Sequence, residues 1–117
     1  MKKILVVDDE ESIRLLYREE FEDEGYQVEV AENGEECLKI FDSFEPDLVT
    51  LDLKMPGLDG LEVLEHLRQK DMDVPIVLLT AYSEFKQDLS TWASNAYLVK
   101  SSDLNELKKI VRELTGA

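Results

Sequence analysis

The residues of this chain that could do chemistry are acids, one hydroxyl and one ammonium, and they share a placement. Asp8-Asp9 follows the apolar run Lys3–Val7, and Asp52 follows Leu48–Leu51. Thr80 follows Pro75–Leu79, and Lys100 follows Ala96–Val99. Carboxylates brought together repel one another, and their protonation is then favoured. A hard divalent cation removes that conflict. Mg²⁺ takes oxygen ligands and keeps several of its waters, so two or three carboxylates suit it. A simpler reading treats each residue as a helix cap, with Asp8 or Asp9 on the first helix and Thr80 on the fourth. Capping accounts for any one of them. It does not account for a carboxylate pair, a third carboxylate, a hydroxyl and an ammonium at four strand ends of one fold.

The elements that must position these groups are legible as a period. Five short apolar runs, the four above and Gln27–Val30, alternate with five amphipathic stretches. Three runs are nearly all Val, Ile or Leu, as strands buried on both faces should be. The run at Gln27–Val30 mixes in polar residues and reads as a more exposed strand. The first helical stretch is marked by Ile13, Leu16, Tyr17 and Phe21, with Gly25 as its stop. Asn33 or Gly34 opens the second, and Pro46 follows it. Leu61, Leu64 and Leu67 stripe the third, and the fourth, about Ser83 to Trp92, is the weakest. Leu104, Leu107, Ile110, Val111 and Leu114 stripe the fifth, with Ser102 or Asp103 as cap and Gly116 as stop. Strict alternation of this kind implies right-handed crossovers and a parallel sheet covered by helices on both faces. Function in such sheets collects beyond the carboxyl ends of the strands.

Composition sets the outer bounds. The 117 residues make one domain, and 44% are hydrophobic, enough for a core. No apolar run approaches the roughly 20 residues that span a bilayer. The run Ile4–Val7 is too short for a secretory leader and ends in Asp8-Asp9, so a soluble cytoplasmic protein with no membrane association is expected. A net charge of −14 repels phosphate backbones and argues against direct nucleic-acid binding. The single cysteine, Cys37, permits no internal disulfide and reads as a buried structural thiol. His66 has no second metal ligand spaced near it and reads as a surface residue.

With the motifs in place, the chain resembles the receiver domains of bacterial two-component signalling along its whole length. The segments that carry the resemblance are Ile4–Glu10, Asp52-Leu53-Lys54-Met55-Pro56-Gly57-Leu58-Asp59-Gly60, Leu79–Tyr82 and Tyr97–Lys100. Each is weak to moderate alone, and together, in order and at the family's spacing, they are strong. The resemblance implies a flavodoxin-like α/β fold, doubly wound, with a five-stranded parallel sheet of order 2-1-3-4-5 and five helices. It implies a phosphorylation switch in which Asp52 accepts a phosphoryl group from a phosphohistidine, catalysing only its own transfer and slow dephosphorylation. Asp9 would ligate Mg²⁺ directly and Asp8 mainly through water, with Asp52 and the backbone carbonyl of Lys54 completing the protein ligands. Thr80 and Lys100 would hold phosphoryl oxygens. The chemistry agrees, because phosphoryl transfer needs an aligned nucleophile and positive charge around the equatorial oxygens. In the family Tyr97 would then turn inward, remodelling the face formed by the fourth helix, fifth strand and fifth helix for a partner.

The implied partners are a sensor histidine kinase or a phosphotransfer protein, and a downstream protein target. A monomer or weak dimer is expected. Residues 1–117 would form the receiver alone with no output domain, and the sequence equally allows a piece cut from a longer regulator. Three other readings compete. An aspartyl phosphatase would carry a second acid two residues after Asp52, where this chain has Lys54. A mononucleotide binder of the same topology would want a Gly/Ser/Thr-rich loop where Asp8-Asp9-Glu10-Glu11 stands. A receiver used as an unphosphorylated docking module would have no need of the complete set of site residues.

Four departures from the family habit carry expectations. Lys54 and Tyr82, two positions after Asp52 and Thr80, bring no carboxylate or amide to orient water. A long-lived phosphorylated form follows, and the family's sporulation phosphorelay intermediate has a similar pair, so a relay role is expected. Ala93 stands where the usual stop glycine would, so the fourth helix should be the least regular. Trp92 reads as a core residue, with an exposed anchor as the alternative. Ser101 replaces the family's proline, and a trans Lys100–Ser101 peptide is expected because cis without proline costs about 2.5–4 kcal/mol.

Overall fold

The computed structural model describes residues 1–53, 60–80, 96–100 and 103–116. Five strands form one parallel sheet: β1 (Lys3–Val7), β2 (Gln27–Ala31), β3 (Leu48–Asp52), β4 (Ile76–Thr80) and β5 (Ala96–Val99). Their order is β2-β1-β3-β4-β5, as the family resemblance implies. Four helices lie among the described residues: α1 (Glu11–Asp23), α2 (Gly34–Phe44), α3 (Gly60–Lys70) and α4 (Asn105–Thr115). The fourth helical stretch read from sequence, with Tyr82 and Trp92, lies outside the described residues. So do Lys54 and the Lys100–Ser101 peptide.

The strict period of two along each strand splits the core in half. Leu5 and Val7 of β1, Val49 and Leu51 of β3, and Ile76 and Leu78 of β4 pack with Cys37, Phe41, Val63, Leu64 and Leu67 of α2 and α3. Ile4, Val6, Leu48, Val77 and Leu79 face the other way, against Tyr17 and Phe21 of α1 and Leu107 and Val111 of α4. That β1, β3 and β4 are apolar on every residue but Thr50 and the terminal polar ones follows from this two-sided burial. The strand at Gln27–Ala31 is the sheet's edge, and its Gln27 and Glu29 are exposed, as its mixed composition predicts.

Helix boundaries follow the local chemistry. Asn33 caps α2, its side chain accepting from the Glu36 N–H at 2.8 Å. Gly25 takes a positive φ of 95° just past α1, a conformation glycine adopts without steric cost. Two readings need correction. α4 is capped by Leu104, and Asp103 acts one residue earlier by accepting from the Asn105 N–H at 2.9 Å. Leu16 and Leu61 are exposed at 39% and 41%, because the 3.6-residue period brings Tyr17 and Val63 inward instead. Arg68, which no apolar pattern flags, is buried in α3. Its guanidinium donates to the Val74 carbonyl at 2.7 Å and so ties down the turn that launches β4.

Candidate functional site

The strand register decides what stands together at the carboxyl edge of the sheet. Val7 pairs with Leu51, Asp52 with Leu79 and Thr80 with Val99, so β1, β3, β4 and β5 end at one level. Asp52 and Thr80 are the last residues of their strands rather than the first beyond them. The ladder runs one residue further than the apolar run, and the Leu53 N–H still donates to the Leu79 carbonyl at 3.0 Å. Strand parity carries the side chains. Asp8 continues the row Ile4, Val6; Asp52 continues Leu48, Thr50; Lys100 continues Ala96, Leu98. All three rows lie on the face covered by α1 and α4.

Those three side chains meet. Lys100 Nζ lies 2.7 Å from Asp8 Oδ2 and 3.3 Å from Asp52 Oδ2, with Glu10 Oε1 further out at 3.9 Å. Asp8 is 1% exposed and Asp52 3%. Asp8 Oδ1 accepts from the Glu10 N–H at 2.9 Å, closing the turn into α1, and Arg14 Nη1 donates to the Asp8 carbonyl at 2.8 Å. Asp8 therefore does part of the work the capping reading gave it, while Glu10 is the N-cap residue and makes no side-chain cap bond. Behind β3, the Gly60 N–H donates to the Leu53 carbonyl at 3.1 Å. A Cβ on Gly60 would stand 2.5 Å from Leu53 Cα and 2.7 Å from the Asp52 carbonyl oxygen. Only glycine lets α3 begin this close to the end of the acceptor strand.

The charge balance is one-sided. Burial works to lower the pKa of Lys100, but the hydrogen bond and charge of Asp8, together with Asp52, outweigh it and hold the ammonium above its ordinary range. One ammonium faces two buried carboxylates, and exposed Asp9 and Glu10 add two more acids at the rim. Asp8, Asp9 and Glu10 each offer an oxygen within 4.8 Å of the others. An all-oxygen donor set with excess negative charge fits a small hard divalent cation and suits neither zinc nor copper.

Of the six residues singled out from sequence, the structure brings Asp8, Asp52 and Lys100 into contact and sets Asp9 beside them in the acidic cluster. Thr80 closes β4 at the same level. Lys54 lies outside the described residues. Sequence reasoning gave no role to Glu10 or Arg14, although the run of four acids from Asp8 to Glu11 was a signal for the first. Cys37 is buried and His66 exposed, as read.

Comparison with known proteins gives a consistent picture. The family model for the response regulator receiver domain matches residues 4–112. The sporulation initiation phosphotransferase F of Bacillus subtilis is 38% identical over 114 residues, covering 96% of this chain and 92% of that protein. Other curated relatives are longer. The chain covers 48% of a probable transcriptional regulator ycf27 of Cyanophora paradoxa, at 44% identity, and 25% of the regulatory protein AtoC of Escherichia coli, at 34%. Among solved structures, the response regulator protein TrrA of Thermotoga maritima in complex with Mg²⁺-BeF is 55% identical, with a TM-score of 0.92 over 97% of this chain and 99% of that one. TrrA in complex with the histidine kinase ThkA is similar at 54% identity and a TM-score of 0.90, over 97% and 98%. On the family match, the fold and the strand-end geometry together, this chain belongs to the response regulator receiver domain family and is a receiver of two-component signalling.

Proposed function

We propose that the chain is a magnesium-dependent phosphorylation switch in which Asp52 accepts a phosphoryl group from a phosphohistidine on a sensor histidine kinase or phosphotransfer protein. The observation that carries this is the Asp8–Lys100–Asp52 contact at the carboxyl edge of the sheet, with both acids buried. Asp52 is the central acid, on the middle strand, and its Oδ2 already lies 3.3 Å from an ammonium able to receive phosphoryl charge. Asp9, Asp52 and the backbone carbonyl of Lys54 would hold Mg²⁺, with Asp8 acting mainly through water, and the ion would supply positive charge beside the phosphoryl oxygens and relieve the crowding of the acids. Lys100 exchanges part of its contact with Asp8 for the incoming group. Thr80, at the end of β4, donates its hydroxyl to another phosphoryl oxygen. A TrrA complex with Mg²⁺-BeF and one with a histidine kinase support both the metal and the donor class.

On this reading the new charge at Asp52 is passed to a protein target through the face around β5, with Tyr97 as the moving aromatic. The likeness to a phosphotransferase over nearly its full length supports a phosphorelay intermediate. The chain acts in the cytoplasm as a receiver over residues 1–117, a monomer or weak dimer without direct contact to nucleic acid or membrane. No helix among the described residues is long and apolar enough to cross a bilayer.

The test is incubation with acetyl phosphate and Mg²⁺ followed by intact mass. One added phosphoryl group is expected, absent in Asp52→Asn and absent when EDTA is present. Labelling of Asp52→Asn at the wild-type rate sinks the assignment. Within the same assay, Lys54→Asn is expected to speed phosphate loss by bringing an amide to orient water, and an unchanged rate counts against a part for Lys54 in prolonging the phosphorylated form.

A further inference from the structure

Between α1, the ends of β4 and β5 and the start of α4 lies a cavity of about 110 Å³. Its apolar walls include Leu79, Leu98 and Leu104, and its polar lining includes Tyr17, Lys100 and Asp103. Lys100 thus has two sides. One meets Asp8 and Asp52; the other borders this cavity. An ammonium carries three donors and no acceptor, so its ion pairs with the two buried acids leave it able to donate on its other side.

Tyr17 lines the cavity on that side. It is 2% exposed, one of the largest side chains in the core, and its ring packs edge-on against Phe21 at 6.1 Å. Among the described residues no hydrogen-bond partner meets its hydroxyl. Burial raises the phenol's pKa, Lys100 pulls it down, and Asp8, Asp52 and Glu10 push it up, with a net rise. The phenol is therefore neutral at physiological pH and within the field of every charge in the site. A tyrosine that needed only to fill this core could be a phenylalanine, as residue 21 is. The cavity has room for water and polar groups to hold it in Tyr17, Lys100, Asp103 and Glu106, and bridging water is nearly as good as a direct hydrogen bond.

We propose that Tyr17 is a positioning residue for phosphoryl acceptance, its hydroxyl and the cavity water holding the Lys100 ammonium on the side away from Asp8 and Asp52. This rests on the reading of Asp52 as acceptor. With the phenol present, Lys100 is steadied as it shifts between Asp8 and the phosphoryl oxygens. Without it, the ammonium settles on Asp8 and reaches the acceptor less often.

The experiment compares wild type, Tyr17→Phe and Tyr26→Phe for labelling rate with acetyl phosphate, Mg²⁺ affinity by calorimetry, and melting temperature. Tyr26 is the control: it lies in the same core half, and its hydroxyl pairs with Thr115 Oγ1 at 3.3 Å, far along α4 from the site. Tyr17→Phe is expected to slow labelling about threefold to tenfold, the range for losing a bridged contact to a charged group. Its Mg²⁺ affinity should stay within about twofold of wild type, because the acids are untouched. Tyr26→Phe should label at the wild-type rate. Equal labelling of wild type and Tyr17→Phe overturns the proposal, as does a loss in Tyr17→Phe matched by Tyr26→Phe or by weakened Mg²⁺ binding. A wild type that takes no phosphoryl group at Asp52 removes the underlying reading and this inference with it.

Discussion

Two buried polar atoms show how single residues in this core are strained or quiet. Thr50 Oγ1 is fully buried in β3 with no hydrogen-bond partner among the described residues. An unmet buried hydroxyl costs about 1–3 kcal/mol, whereas valine has nearly the same shape and no such debt. Thr50→Val is therefore expected to stabilise the domain by about 1 kcal/mol in urea unfolding, and a loss of stability would show that the hydroxyl is satisfied in solution. Cys37 is the opposite case. Burial alone pushes its thiol up to about 12, so in the folded chain it stays protonated and unreactive. Alkylation at pH 8 should be slow in buffer and fast in denaturant. An unfolded thiol ionises near pH ~8.5. Above that pH the unfolded chain releases the proton first, so stability falls as pH rises toward 12, by up to ~1.4 kcal/mol per unit. Below ~8.5 the thiol makes no difference to the slope.

At the scale of elements, the acceptor end of β3 depends on how closely α3 begins behind it. Gly60→Ala would drive a Cβ into Leu53 Cα and the Asp52 carbonyl oxygen, both under 3.0 Å. Relief requires α3 or the strand end to move. The expected result is a loss of about 1–3 kcal/mol, typical of overpacking, with slower phosphoryl acceptance at Asp52. Normal labelling in a destabilised Gly60→Ala would show that the strand end holds while the helix yields. α1 is secured differently. Lys108 and Arg112 of α4 reach Glu20 of α1 and Glu24 at its C-cap, joining residues 88 apart in sequence. The Arg112 pair is half-exposed and is expected to contribute at most about 1 kcal/mol. The elements themselves were readable from period and composition. Their facing was less so: Leu16 and Leu61 were placed inward and the buried Arg68 was not noticed, because a helical stripe fixes the period but its phase depends on the neighbour it packs against.

For the whole molecule, charge is the dominant fact. A net −14 and a cluster of acids around one lysine make the domain self-repelling, most of all at the sheet's carboxyl edge. Mg²⁺ bound only by the folded chain should raise stability by about 1.4 kcal/mol at tenfold its dissociation constant. A rise in melting temperature with Mg²⁺, reversed by EDTA and absent in Asp9→Ala, is the expected reading. An equal rise in Asp9→Ala would assign the effect to general screening of the surface instead.

The sequence by itself determined the alternation of strand and helix, the parallel sheet that alternation requires, and the identity of the polar residues at the strand ends. These are local properties: a run of Val, Ile and Leu, a polar residue closing it, and a period of two or 3.6. It placed Asp8, Asp9, Asp52, Thr80 and Lys100 at those ends without showing which would touch. The tertiary structure decided that Lys100 sits between Asp8 and Asp52, that Glu10 joins the rim, and that Tyr17 borders the same cavity as the lysine. Contact depends on register and on strand order, and both are set by how two half-cores fill around the sheet rather than by any single segment. β1 lies beside β3 although a helix, a strand and another helix separate them in the chain. That adjacency brings Asp8 within reach of Asp52 and its lysine.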